Sequence, residues 1–293
     1  MNASEFERSR RYVRTEFGEV AYVERGSGDV ALFMHGYPLN GYQWRDIIDR
    51  LADTRRCIAL DMMGAGHTKV PLTQDLSYPA QARMVASFLD ALGIETIDLV
   101  GNDSGSAVAQ IFAARTPDRV RSLTLTNSVV HDNWPPPASV WLVESARAGT
   151  YKTRLKTLLG DLDQFRVGLG HVFEHPERLT DETLRAYYAP LVATDVDGLN
   201  LERFISSIDA SHTRDIEELL QKLHVPTLIM WGTGDALFEL KWAYWLKANI
   251  PGVRRVIELP GAKVWFPEEY PALVSDTLRA HWAEACSLAQ SAR

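Results

Sequence analysis

Cysteine is nearly absent from this sequence. Cys57 and Cys286 stand far apart, with no spacing that suits a metal site or a redox pair. A disulfide framework is thereby excluded, and a reduced intracellular compartment is expected. Clustered positive charge is missing too. The 31 Lys and Arg are scattered and outnumbered by 38 Asp and Glu, for a net charge of -7, which argues against a nucleic-acid surface. No apolar run approaches membrane-spanning length. The opening residues, MNASEFERSRRYVRTEF, carry no apolar core of the kind a signal peptide needs. These absences predict a cytoplasmic protein without nucleic-acid or membrane partners. There is no internal repeat and no low-complexity tract. What is present is ordinary globular material: 293 residues, 46% hydrophobic and 24% charged, enough for one large α/β domain with an insertion or for two small domains.

The most informative stretch is Leu99-Val100-Gly101-Asn102-Asp103-Ser104-Gly105. Thr96 to Val100 reads as a short buried strand. The small and apolar residues from Ser106 to Ala114 read as a helix. A strand that becomes a helix within about two residues turns a sharp, strained corner, which demands small residues two before and two after its apex. Gly101 and Gly105 meet that demand if Asp103 is the apex. With Ser104 at the apex, the flanks would be Asn102 and Ser106, a poorer fit. The plainer reading is an ordinary strand-to-helix turn.

Around this corner the chain alternates strands and helices. A hairpin is predicted from Arg11 to Glu24, turned near Gly18. Buried strands are expected at Val30–Met34, Cys57–Leu60 and Val120–Leu125, with a helix from Pro79 to Leu92 stopped by Gly93. At Trp134-Pro135-Pro136-Pro137 the pattern breaks, and helices without a convincing strand follow to about Thr213. The alternation then resumes with strands at Thr227–Trp231 and Arg255–Leu259 and a last helix from Pro271 to Trp282. Such alternation implies a mostly parallel sheet covered on both faces. The expected organisation is a core over residues 1–131, a helical lid over 132–213, and a second core part over 214–293.

With the corner, the His35-Gly36-Tyr37-Pro38 loop and the Asp61…Gly64-Ala65-Gly66 loop in this order, the chain resembles the α/β-hydrolase superfamily over essentially its full length. The aspartate apex and the H-G-x-P loop look like the branch of epoxide hydrolases and haloalkane dehalogenases. That resemblance implies an Asp103 nucleophile forming an ester with an electrophilic carbon. It also implies an oxyanion hole from the backbone N–H groups of Tyr37 and Ser104, and a late acid that orients a histidine. Asp235, just past a strand end in Trp231-Gly232-Thr233-Gly234-Asp235, fits the acid; the alternative is a helix cap before Leu237. The histidine position falls on Val264 in Gly261-Ala262-Lys263-Val264-Trp265-Phe266. Valine accepts no proton, so the resemblance implies blocked release of the ester rather than blocked attack.

A replacement base is therefore sought elsewhere. His131, at the root of the lid, is the first candidate, against the reading of a hinge histidine capped by Asp132. Lys263 would need a strongly lowered pKa. His35 reads as structural, while His171, His175 and His212 belong to the lid. Trp134, Tyr188, Val264 and Trp265 are expected to line the substrate pocket. Of Tyr187 and Tyr188, at most one can face it, because adjacent helical residues diverge by about 100 degrees. Ser104 stands where dehalogenases usually carry a tryptophan, which weakens a dehalogenase reading. The expected function is attack by Asp103 on a small apolar electrophile, most like epoxide hydrolysis, with no cofactor and no metal, and with a homodimer allowed. The alternatives are a lyase, isomerase or cyclase using Asp103 as general acid or base, and a non-catalytic binding protein on the same fold.

Overall fold

Strand and helix signals along the chain resolve into one eight-stranded sheet in the computed structural model, which describes residues 1–291. The strands are β1 (Arg10–Thr15), β2 (Gly18–Arg25), β3 (Val30–Met34), β4 (Arg56–Leu60), β5 (Ile97–Asp103), β6 (Val120–Ser128), β7 (Thr227–Gly232) and β8 (Val253–Leu259). Their order across the sheet is β1-β2-β4-β3-β5-β6-β7-β8. β1 and β2 pair antiparallel, β2 meets β4 antiparallel, and every later pairing is parallel. The α/β-hydrolase arrangement expected from the sequence is thus the one observed.

β3 and β5 are buried along their whole length, as near-continuous apolar strands covered on both faces should be. β5 lies at the middle of the sheet between β3 and β6, so its carboxyl end opens where the loops after β3, β6 and β7 also converge. No strand occurs between Ser128 and Thr227; helices such as Tyr151–Leu158, Asp181–Tyr188 and Asp195–Ser207 fill that interval among the described residues. Residues of these helices, Tyr151, Tyr188 and Ile205, line a cavity together with Asp103 at the end of β5.

Element ends differ from the sequence expectation where short polar signals act. A helix at Ala3–Arg8 is started by a capping box in which Asn2 and Glu5 each bond the other's backbone N–H. The helix Asp195–Ser207 is likewise started by a capping box formed by Thr194 and Asp197. β6 runs on to Ser128, and the last helix runs to Ser291. No helix among the described residues is long and apolar enough to cross a membrane.

Candidate active site

The corner between β5 and the helix Ser104–Arg115 is as tight as its glycines imply. A Cβ on Gly101 would stand 2.7 Å from the Gly105 carbonyl oxygen, and one on Gly105 would stand 2.3 Å from that of Met34. Neither collision can be relieved, since backbone lies on both sides. Asp103 at the apex takes φ 52° and ψ -119°, a conformation that a non-glycine residue adopts only when its surroundings impose it. The strain lifts its side chain off the sheet into a cavity of about 300 Å³.

Asp103 forms the floor of that cavity and is 6% exposed. Its Oδ2 accepts the Tyr37 backbone N–H at 2.9 Å and the Trp265 indole N–H at 3.5 Å. No side-chain donor among the described residues bonds Oδ1. Burial pushes the Asp103 carboxyl up to about 8, against the downward pull of the Trp265 indole and the Tyr37 and Ser104 amides. The side chain of Ser104 turns instead to the Tyr78 hydroxyl, 2.9 Å away and fully buried. Tyr37 is held by stacking on Phe204, with ring centroids 4.0 Å apart, and by donating its hydroxyl to the Leu201 carbonyl at 3.0 Å.

The side of the site fed by β7 and β8 is built differently. Asp235 follows β7, accepting from Asn127 at 2.6 Å and from the Leu237 backbone N–H at 2.8 Å. Burial raises its carboxyl to about 6 against those two donors. No imidazole joins it. The loop after β8 is stitched down by Asn102, whose amide donates to the Val264 carbonyl and to the Thr126 hydroxyl, both at 2.7 Å. With the carbonyl so held, the Val264 side chain is fully buried and is not a wall of the cavity, contrary to the sequence expectation. The next side chain, Trp265, faces the cavity and Asp103.

His131 is not placed as a base; the alternative, a histidine beside Asp132, is observed, with Nε2 3.7 Å from the Asp132 carboxylate. Its ring bonds Glu217 and stacks on Trp245 with centroids 5.1 Å apart, and it does not line the cavity. It is a hinge residue tied to the helices after the insertion, with φ 53° and its carbonyl accepting from Thr213. Lys263 points to the Gly170 carbonyl. His35 accepts the Met62 N–H at 3.0 Å and is fully buried, so its role is structural. Of the histidines, only His171 is a wall residue; its Nδ1 pairs with the Gly168 carbonyl at 2.7 Å.

The tyrosine pair divides as helical geometry requires. Tyr187 turns away from the cavity and donates to Glu268, which Arg45 holds through two contacts of 2.6 Å. Tyr188 lines the cavity, and its buried hydroxyl has no hydrogen-bond partner. Trp134 is a wall as expected. The sequence reading missed Tyr151 and Arg154, which also line the cavity. The signal was present: Tyr151, Arg154 and Leu158 recur at i, i+3 and i+7 and share one helical face.

Comparison with known proteins supports this architecture. The family described as alpha/beta hydrolase fold matches residues 30–270. A cis-3-alkyl-4-alkyloxetan-2-one decarboxylase of Shewanella oneidensis is 27% identical over 251 residues, covering 80% of this chain and 77% of the relative. Human epoxide hydrolase 4 is 28% identical over 279 residues, 88% of this chain and 73% of that protein. Among solved structures, an ancestral haloalkane dehalogenase superposes with a TM-score of 0.78 at 28% identity, covering 94% of this chain and 99% of the other. A matched span of that length, with the sheet order and the strained corner in place, makes this chain a member of the alpha/beta hydrolase fold family, related to haloalkane dehalogenases and epoxide hydrolases.

Proposed function

We propose that this protein is an enzyme in which Asp103 attacks an electrophilic carbon of a small, largely apolar molecule, with oxygen as the leaving atom and an epoxide as the best-fitting substrate. The observation that carries this reading is the Asp103 carboxyl at the cavity floor, with Oδ2 held by the Tyr37 N–H and Oδ1 taken as the attacking atom. After attack, the ester carbonyl oxygen would sit where Oδ2 now sits, so the same donors would stabilise the oxyanion of the next step. Donors of this kind are worth roughly 3 kcal/mol apiece in other enzymes.

The leaving atom is argued from the opposite wall. Tyr188 holds an unpartnered buried hydroxyl there, and Tyr151 lines the cavity nearby. A phenol gives a proton to a developing alkoxide, which a halide does not require. Ser104 beside the nucleophile offers no indole to a halide, and the Trp265 indole is engaged with Asp103 itself.

Release of the ester is the slow half of the cycle. Water must attack the Asp103 carbonyl carbon, and no imidazole joins Asp235 to take its proton. A second reading, a lyase, draws on the same feature: a ring opening that ends in loss of a fragment needs no water attack. Asp103, held largely neutral below pH 8, also suits an acid role.

The test is intact-protein mass spectrometry after exposure to a small aryl or alkyl epoxide. The expected result is an adduct of the epoxide's mass, mapped by peptide analysis to Asp103 and absent from Asp103→Asn. Product formation without any adduct, even in single turnover, would favour the lyase reading. Neither product nor adduct with a range of electrophiles would leave a binding protein.

A further inference from the structure

The cavity changes character along its length. Its buried walls are Asp103, Ser104, Ser139, the tyrosines Tyr37, Tyr151 and Tyr188, Trp265 and aliphatic and aromatic side chains. Its exposed walls include three polar ones, Arg154, Gln164 and His171. Apart from Asp103 at the floor, Arg154 is the only Arg, Lys, Asp or Glu among the wall residues. It stands at the mouth.

Arg154 is there by helical geometry, not by chance reach. It shares one face with Tyr151 and Leu158, and all three are walls. Its guanidinium lies over the Trp141 ring, 4.8 Å from the centroid, and Trp141 is a wall as well. That cation–π contact holds the guanidinium against the ring. No carboxylate pairs with Arg154 among the described residues, whereas Arg45, Arg119 and Arg166 each hold one. Gln164 follows on the next helix, Leu162–Gly168, and the His171 Nδ1 pairs with the Gly168 carbonyl.

We infer that the mouth is a carboxylate-binding site, and that the substrates are amphiphilic acids whose apolar body fills the cavity while an anionic carboxylate meets Arg154. A planar guanidinium matches a carboxylate with two parallel hydrogen bonds. The electrophilic carbon would then lie toward the other end of the molecule, over Asp103. The inference deepens the proposed function by naming its substrate class. The binding site itself does not depend on whether Asp103 attacks.

Binding is therefore measured on Asp103→Asn protein, by the fluorescence change of the wall tryptophans and by calorimetry, using octanoate, its methyl ester and octanol. The expected order is octanoate tightest, with Arg154→Gln weakening octanoate about tenfold and leaving the ester and the alcohol unchanged. Raised salt should weaken octanoate alone. Arg154 is exposed on its helix, so the variant keeps the fold, and Arg154→Lys restores the charge without the planar fork. Equal binding of the three ligands overturns the inference. So does an octanoate preference that survives Arg154→Gln, which would place the carboxylate at the floor against the Tyr37 amide. If octanoate binds as expected while no epoxide ever labels Asp103 in the wild-type protein, the carboxylate site stands and the nucleophile reading falls.

Discussion

The two sides of the cavity floor pose a contrast. On the β5 side, the corner, the Tyr37 amide and Asp103 form the arrangement that attack on carbon requires. On the β7–β8 side, Asp235 is bonded by Asn127 and Leu237, and the loop after β8 presents Trp265 to Asp103. An indole donates one hydrogen bond and accepts no proton. On the proposed mechanism, one side would start a covalent reaction that the other side is poorly equipped to finish. The two steps of a covalent mechanism are physically separable, and in the proposed mechanism the loop after β8 would decide whether the second proceeds.

Removing the nucleophile should have the largest effect. Asp103→Asn should abolish adduct formation, by roughly ten-thousandfold or more. It should also stabilise the fold. The folded carboxyl keeps its proton up to about pH 8 while the unfolded one releases it near its ordinary value, so Asp103 costs stability as pH rises through that window. At pH 8 the variant should gain on the order of a few kcal/mol, read from denaturant midpoints. A variant that still forms the adduct would erase the contrast at its origin.

Supplying the missing group should sharpen it. Trp265→His puts an imidazole on the side chain that faces Asp103, with Asp235 on the same side of the floor. Ester release should accelerate by about a hundredfold, within the range that general bases provide. Val264→His, by contrast, should cost stability without speeding release, because that side chain packs away from the cavity. Comparing the adduct lifetimes of the two variants decides which position the imidazole needs.

The pH profile should give a smaller, graded effect. Attack requires the carboxylate, so the rate of adduct formation should rise about tenfold per unit below pH 8 and level off above it. A rate independent of pH between 5 and 9 would mean that Asp103 is ionised throughout and that its donors outweigh its burial.

The smallest change is expected at Asp235. Asp235→Asn should alter the attack rate less than about threefold, because this carboxylate has no imidazole to orient. In a complete triad the corresponding change costs about four powers of ten. A large loss would show that Asp235 acts through a partner other than histidine.

How much of this was legible in the sequence depended on whether backbone or side-chain packing decides. Gly101 and Gly105 were readable because any Cβ there meets backbone, and the apex aspartate followed from their spacing. The strands were readable because burial on both faces leaves long apolar runs. The loop after β8 was not. Which of two consecutive side chains enters the cavity turns on Asn102 holding the Val264 carbonyl, a contact across 162 residues. His131 failed for a similar reason: its partners, Glu217 and Trp245, lie on elements that sequence adjacency does not reveal. Helical geometry allowed only one of Tyr187 and Tyr188 to face the cavity. The choice between them was made by Arg45 and Glu268, which draw Tyr187 away.

The central claim, that attack and release are uncoupled at this floor, is tested most directly by the lifetime of the wild-type adduct in oxygen-18 water. After a single exposure to epoxide and removal of the excess, the mass of the labelled protein should stay constant over hours while Asp103 gains no heavy oxygen. Rapid decay of the adduct with heavy oxygen appearing in the Asp103 carboxylate would contradict the account, because a competent base would then already be in place.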